Sequence, residues 1–167
     1  MRTGLRMRIW WITLLLVCLA GCASGPKLVS HSFSCDMWFD GWANQADLLE
    51  YSYGDKFQML HKKVRPDQQG LGCGGVTAAM PVANFLYVKW RLKATGDVIE
   101  DRVDMRGRLP ENMYMQTVTF VIDGRQLYVY LVTDQQIKQR LAERPLKTWL
   151  SKHNVTYEIY PNNQLNP

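Results

Sequence analysis

The side chains that can take part in the widest range of chemistry are the cysteines. They are Cys18, Cys22, Cys35 and Cys73. A thiol can be acylated, can form a disulfide, can bind a metal or can act as a nucleophile. Cys22 stands out, because it directly follows the small residues Ala20 and Gly21 at the end of an apolar run.

The residues before Cys22 have the three-part pattern of a secretory signal peptide. A basic segment with Arg2, Arg6 and Arg8 precedes the apolar residues 9–19, and small residues follow. This order of basic, apolar and small residues is typical of a signal for export. The apolar run is well short of the roughly 20 residues that a membrane-spanning helix needs.

The four residues Leu19-Ala20-Gly21-Cys22 resemble the lipobox of bacterial lipoproteins at every position. The resemblance implies that the Cys22 thiol receives a diacylglyceryl group, that residues 1–21 are removed, and that the new amine is acylated. Ala23 follows the cysteine. By resemblance to the enterobacterial sorting rule, a residue other than Asp at this position implies the outer membrane, facing the periplasm. The alternative is an ordinary signal peptide with a cysteine at its cleavage point.

The processed chain is predicted to be a tether followed by one domain. Residues 22–34 are small and polar and predict a short flexible tether, and residues 35–167 form a single β-rich globular domain. Three of the 20 basic residues lie in the signal and none of the 15 acidic ones does, which leaves a net charge of +2. So small a charge gives no support to nucleic-acid binding.

Cys35 and Cys73 remain as the thiols of the predicted domain. In an oxidising compartment the simplest interpretation is a disulfide between them, contributing about 3–4 kcal/mol in the chain-entropy model. Two buried thiols are an alternative, and Cys73 as a nucleophile is another. No histidine lies near Cys73 in a recognisable catalytic arrangement.

Alternating apolar residues predict a mainly β fold. The strongest signals are two hairpins, formed by residues 85–93 with 98–105 and by residues 116–123 with 126–133. Asp123-Gly124 marks the turn of the second hairpin. Further strands are predicted at 48–53 and 155–160, and short helices at 133–143 and 146–153. The expected fold is an antiparallel sheet or sandwich-like domain, with one or two short helices before the last strand.

A set of aromatic residues forms the candidate binding surface. It consists of Trp38, Trp42, Tyr87, Tyr128 and Tyr130. Four of the five have an alternative structural role: the tryptophans can pack over a sheet, and the predicted helices can cover Tyr128 and Tyr130.

No catalytic or metal-binding motif stands out. The histidines of the processed chain, His31, His61 and His153, are far apart in sequence and lack metal-ligand spacing. A nucleophile elbow is also missing. We therefore predict a non-enzymatic protein without a cofactor or a metal.

Most of the processed chain resembles an uncharacterised family of small proteobacterial lipoproteins. The segments that carry the resemblance are residues 51–55 (YSYGD), 80–110, 120–133 and 157–161. It implies a lipidated, β-rich protein and transfers no catalytic residue. By analogy of class, some envelope lipoproteins neutralise secreted lipase effectors.

The leading hypothesis is a lipid-anchored binding module for a protein partner in the periplasm, including an immunity-type role. One alternative is a structural or assembly lipoprotein of the envelope. The other is a hydrolase of envelope glycan or lipid that depends on Asp40 or Cys73.

Overall fold

The structure is a computed structural model that describes residues 26–137, 146 and 149–165. The predicted signal peptide, Cys22 and residues 138–143 of the first predicted helix lie outside the described residues. The strands are β1 (Leu28–Ser34), β2 (Ala46–Tyr53), β3 (His61–Lys63), β4 (Val76–Pro81), β5 (Phe85–Leu92), β6 (Val98–Asp104), β7 (Thr117–Asp123), β8 (Gln126–Gln136) and β9 (Asn154–Tyr160). A 3₁₀ turn spans Gln58–Leu60, and one short helix, α1, spans Trp149–His153.

The mainly β prediction is confirmed, and the strands form two sheets. The larger sheet has the order β4-β1-β7-β8-β9, and the smaller has the order β3-β2-β5-β6. All neighbours are antiparallel except β1 and β7, which are parallel. Buried side chains of both sheets belong to one hydrophobic cluster, so the sheets pack face to face as a sandwich.

Both predicted hairpins are confirmed. In the β5–β6 hairpin Leu86, Val88 and Trp90 are fully buried, as their alternation predicts. On the outer face Lys89 lies opposite Glu100, and their charged atoms are 3.2 Å apart. In the β7–β8 hairpin the turn residue Gly124 has φ +55°, a conformation that glycine adopts without a steric penalty.

The centre of the core is an aromatic cluster around Phe33 of β1. Its ring stacks on Tyr53 with 4.8 Å between centroids, and it lies 5.8 Å from Tyr51 and 6.0 Å from Phe120. Tyr51 and Tyr53 belong to the smaller sheet, whereas Phe33 and Phe120 belong to the larger one. The cluster therefore joins the two sheets.

The prediction that the tether extends to residue 34 is wrong. β1 begins at Leu28 and lies inside the larger sheet, between β4 and β7. His31 and Phe33 are both buried. Pairing on both edges satisfies the backbone of this polar segment, and burial of alternate side chains stabilises it.

The first predicted helix is wrong over its described part, because residues 133–136 continue β8. The Thr133 hydroxyl donates to Val155 O at 3.0 Å, and Asn154 Nδ2 donates to Thr133 O at 2.8 Å. These contacts with β9 keep Thr133 in the sheet and not at the start of a helix. The second predicted helix is confirmed in shorter form as α1.

Two side-chain hydrogen bonds join the smaller sheet to the larger one. Trp90 Nε1 donates to Gly124 O at 3.0 Å, which joins β5 to the β7–β8 turn. Tyr160 donates its hydroxyl proton to Asp101 at 2.8 Å, which joins β9 to β6. Each bond links residues far apart in sequence, so these contacts form only when the sandwich is assembled.

Truncation of Phe33 tests whether β1 belongs to the core. Phe33→Ala should lower the free energy of unfolding by about 3–5 kcal/mol, because it leaves a cavity between the sheets. Chemical denaturation measures this change. Leu28→Ala on the same strand removes an exposed side chain and should change stability by less than about 0.5 kcal/mol. Equal effects of the two variants would contradict the position of β1.

Candidate functional site

A disulfide pairs Cys35 with Cys73 and bears out the simplest interpretation of these cysteines. Their Cα atoms are 5.6 Å apart, and the residues are separated by 38 positions. The link joins the end of β1 to the segment before β4. A loop of this length gives a stabilisation of about 4 kcal/mol in the chain-entropy model. Both alternatives, buried free thiols and Cys73 as a nucleophile, are contradicted because neither sulfur carries a free thiol.

The segment after Cys35 exposes two large aromatic side chains. Trp38 is 74% exposed and Phe39 is 69% exposed. The Phe39 N–H donates to the Asp36 carboxylate at 2.9 Å, and the Asp40 N–H donates to Asp36 O at 3.0 Å. A compact turn therefore presents the pair, which we call the Trp38–Phe39 pair.

Hydrogen bonds also fix the C-terminal end of this loop. Lys93 Nζ donates to Ala43 O at 2.7 Å and lies 3.4 Å from the Asp47 carboxylate. The Ala43 N–H donates to Met37 O at 2.9 Å. With the disulfide at its start, the loop is held at both ends, so little conformational entropy remains to be lost when the aromatic pair binds.

Trp42 does not belong to the surface and corrects that part of the prediction. Only 1% of it is exposed, and its ring lies 6.0 Å from Phe120 in the core. The backbone of the turn directs Trp42 inward and Trp38 outward. Burial of Trp42 fastens the loop to the sandwich.

Tyr87 lies on the outer face of the smaller sheet within a polar network. Its hydroxyl donates to Glu100 at 2.8 Å, and Glu100 also pairs with Lys89. Partial desolvation, the hydrogen bond to Glu100 and the negative charge of that carboxylate raise the pKa of Tyr87 to about 12. The hydroxyl is thus already used within the sheet.

Tyr128 and Tyr130 lie on the outer face of the larger sheet. Their rings stack with 6.4 Å between centroids. Tyr130 is buried in a small cluster with Val132 and Leu146, so the segment before α1 covers it. This burial raises the pKa of Tyr130. The expected cover of the tyrosine face is confirmed at Tyr130.

The predicted surface is therefore not one site. Tyr87 and Tyr128 face away from the core on opposite sheets, so one flat partner cannot contact both. Trp42 and Tyr130 are buried. Of the predicted residues, Trp38 alone is widely exposed, and Phe39 beside it completes an exposed pair.

A cleft at the opposite end of the sandwich was missed by sequence analysis. Its volume is about 420 Å³, within the range of small-molecule sites. The lining residues are Pro26, Lys27, Val29, Tyr53, Gly54, Asp55, Lys56, Phe57, Pro81, Val82, Ala83, Asn84 and Glu111. Gly54 shapes this cleft, since it has φ +71° and a Cβ there would lie 3.2 Å from Ala83 Cβ.

A buried histidine supports the wall of the cleft. His31 Nδ1 donates to Val29 O at 2.8 Å, so Nε2 is left to accept the Tyr53 hydroxyl at 3.2 Å. Burial lowers the pKa of His31 and raises that of Tyr53. The alternation of Val29, His31 and Phe33 was the signal that could have revealed this strand.

Two further features are missing from the described residues. No group of three or more histidine, cysteine, aspartate or glutamate side chains is arranged there to hold a metal ion. Within residues 26–137, 146 and 149–165, no helix has the length and apolar character needed to cross a membrane.

Comparison with protein-family models, with curated proteins and with solved structures finds no match to this chain.

Buried His31 predicts a pH dependence of stability. Its pKa in the folded protein lies below the usual 6.5, so the unfolded chain takes up a proton first as the pH falls. The free energy of unfolding should therefore be highest above pH 6.5 and should decline as the pH falls below it. Denaturation at a series of pH values measures this slope.

The matched variants are His31→Gln and His61→Gln. His31→Gln should flatten the decline below neutral pH, whatever its effect on absolute stability. His61 is half exposed, with a relative side-chain exposure of 51%, and its replacement should leave the decline in place. An unchanged slope in His31→Gln would refute the assignment.

Proposed function

We propose that this chain is a lipid-anchored envelope protein whose domain is a non-enzymatic binding module for a protein partner. The observation that carries the proposal is the Trp38–Phe39 pair, widely exposed on a loop that the Cys35–Cys73 disulfide holds. Isolated apolar side chains on a surface are ordinary. Two adjacent exposed aromatics on a fixed loop are typical of a binding site.

Tryptophan is well suited to protein recognition. It is enriched among the residues that dominate binding energy, because its large ring fills a pocket and loses few rotamers. The loop adds preorganisation, since the Asp36 turn and the Lys93–Ala43 bond fix it before a partner arrives. These features support a protein partner for the Trp38–Phe39 pair.

The position of the pair fits an anchored module. β1 starts at Leu28, close to the proposed lipid on Cys22, and it ends at Ser34, directly before the loop. Its seven residues span about 20 Å. The Trp38–Phe39 pair thus lies at the end of the domain away from the proposed anchor, where a partner in the periplasm reaches it.

The hydrolase alternative depended on Asp40 or Cys73, and only Asp40 remains available for it. Cys73 lies in the disulfide and offers no nucleophile. Asp40 lies directly after the Trp38–Phe39 pair, and its backbone N–H helps to form the turn. This local structural role favours the binding hypothesis over the catalytic one.

Replacement of Cys22 tests the proposed anchor. Cys22→Ser removes the thiol that would be acylated, so the variant should lose the lipid and should accumulate unprocessed or leave the membrane. Cell fractionation and intact mass spectrometry distinguish these results. The control is Cys18→Ser, which changes a cysteine within the proposed signal and should be processed normally. A normally processed and membrane-bound Cys22→Ser variant would refute the anchor.

Replacement of Trp38 tests the proposed binding site. Trp38→Ala should weaken partner binding by about 30-fold or more, as expected for a residue that dominates an interface. The lipidated chain is used to capture proteins from envelope preparations. The dissociation constant of the captured protein is then measured for each variant.

Two controls make this test specific. Val98→Ala removes an exposed apolar side chain at the same end of the sandwich, and Tyr87→Ala removes a predicted surface residue from the smaller sheet. Both should retain the partner. If Trp38→Ala captures the same proteins as these controls with equal affinity, the Trp38–Phe39 pair is not the binding site.

A further inference from the structure

The end of the sandwich at which β1 begins carries a second group of exposed apolar side chains. Leu28 starts β1 and is 59% exposed, and Met115 is 62% exposed. Tyr114 and Met59 are exposed at the same end, on the segments before β7 and β3. We call these four residues the anchor-end patch.

Backbone contacts place the members of this patch at the same end of the sandwich. The Met115 N–H donates to Ser30 O at 3.0 Å, which places Met115 beside β1 and two residues from Leu28. Met59 lies in the 3₁₀ turn directly before β3, and β3 pairs with the end of β2 through His61 and Ser52. The patch therefore lies at the end opposite to the Trp38–Phe39 pair.

Met115 is held in a conformation that non-glycine residues rarely adopt. Its φ is +60°, in the left-handed region, and its side chain nevertheless faces solvent. The exposed Met115 side chain adds nothing to the burial of the core, although its backbone N–H bonds to β1. Such a strained conformation is typical of positions at which the side chain has a role outside the fold.

The start of β1 limits the distance between this end and the proposed lipid. Six peptide units separate Cys22 from Leu28, so their Cα atoms are at most about 22 Å apart. A tether extending to residue 34 would have allowed about twice that distance. Because the folded domain begins at Leu28 and not at residue 35, a lipid on Cys22 would keep the anchor-end patch close to the bilayer.

We infer that the anchor-end patch rests on the lipid surface, with Leu28, Tyr114 and Met115 at the boundary between headgroups and acyl chains. The inference depends on the proposed lipidation of Cys22. The attached lipid makes docking intramolecular, so a small patch suffices to orient the domain. Tyrosine suits this position, because its ring is apolar and its hydroxyl reaches water.

The charges that line the cleft at this end favour an apolar contact. The cleft there is lined by Lys27 and Lys56, and these are balanced by Asp55 and Glu111. Because this lining holds equal numbers of bases and acids, the cleft itself attracts anionic lipid only weakly. Docking should therefore depend little on salt, unlike the binding of a polybasic segment.

The orientation has a direct consequence for the Trp38–Phe39 pair. If the anchor-end patch lies on the bilayer, the length of β1 holds this pair about 20 Å farther out. The domain then acts as a short rigid spacer. A partner meets the Trp38–Phe39 pair without first touching the lipid.

Site-specific labelling of the full lipidated chain tests this orientation. Met115→Cys and Phe39→Cys each add one free thiol, since the other cysteines of the processed chain would be lipidated or in the disulfide. An environment-sensitive fluorophore is attached, and the protein is reconstituted in vesicles of phosphatidylethanolamine and phosphatidylglycerol. Quenching by nitroxide-labelled lipids is then measured at low and high salt.

The probe at position 115 should show blue-shifted emission and at least twofold stronger quenching than the probe at position 39, at both salt concentrations. Leu28→Cys gives a second probe of the same patch, should the strained position 115 tolerate labelling poorly. Equal quenching at the two ends would overturn the inference. A blue shift at position 115 without lipid quenching would also overturn it, because another protein surface would then cover the patch.

Vesicle flotation separates failure of the orientation from failure of the anchor. A chain that floats with the vesicles but shows no quenching at position 115 keeps its anchor and loses the proposed orientation. A chain that does not float loses both. If quenching at position 115 occurs at low salt but is lost at high salt, the contact is electrostatic and not apolar. That result would refute the proposed patch.

Discussion

The stacking of Phe33 between the two sheets is the contact on which the rest of the structure depends. Its ring meets Tyr53 of the smaller sheet at 4.8 Å and Phe120 of the larger sheet at 6.0 Å. Aromatic rings bury a large apolar area, and this burial drives the packing of the sheets. Because Phe33 lies on β1, the strand nearest to the proposed anchor is also the strand that closes the core.

The same strand separates two surfaces of different character. At its start lie the anchor-end patch and a cleft supported by the His31–Tyr53 hydrogen bond. At its end lie Cys35 and the loop that carries the Trp38–Phe39 pair. A short rigid strand thus relates the proposed membrane contact to the proposed partner contact. The buried Trp42 and the disulfide hold this loop against the sandwich.

Much of the fold followed from local patterns, and the candidate site followed only in part. The β5–β6 and β7–β8 hairpins were predictable because adjacent strands pair through short turns, and Asp123-Gly124 marks one of them. The edge strand β3 and the small-residue strand β4 carry too weak an apolar signal. Trp38 and Trp42 are both tryptophans and lie only four positions apart in the sequence. The turn between them therefore decides which one is exposed.

The sequence by itself determined the predicted signal, the proposed lipid site at Cys22, the mainly β class and the two cysteines available for a disulfide. These properties depend on residue type and short-range order, which need no folded partner. The tertiary structure alone decided that residues 28–34 form a central strand, that residues 133–136 extend β8, and that Tyr87 and Tyr128 face opposite ways. The reason is physical: pairing and burial come from distant strands, and these outweigh the weak local preferences of polar segments.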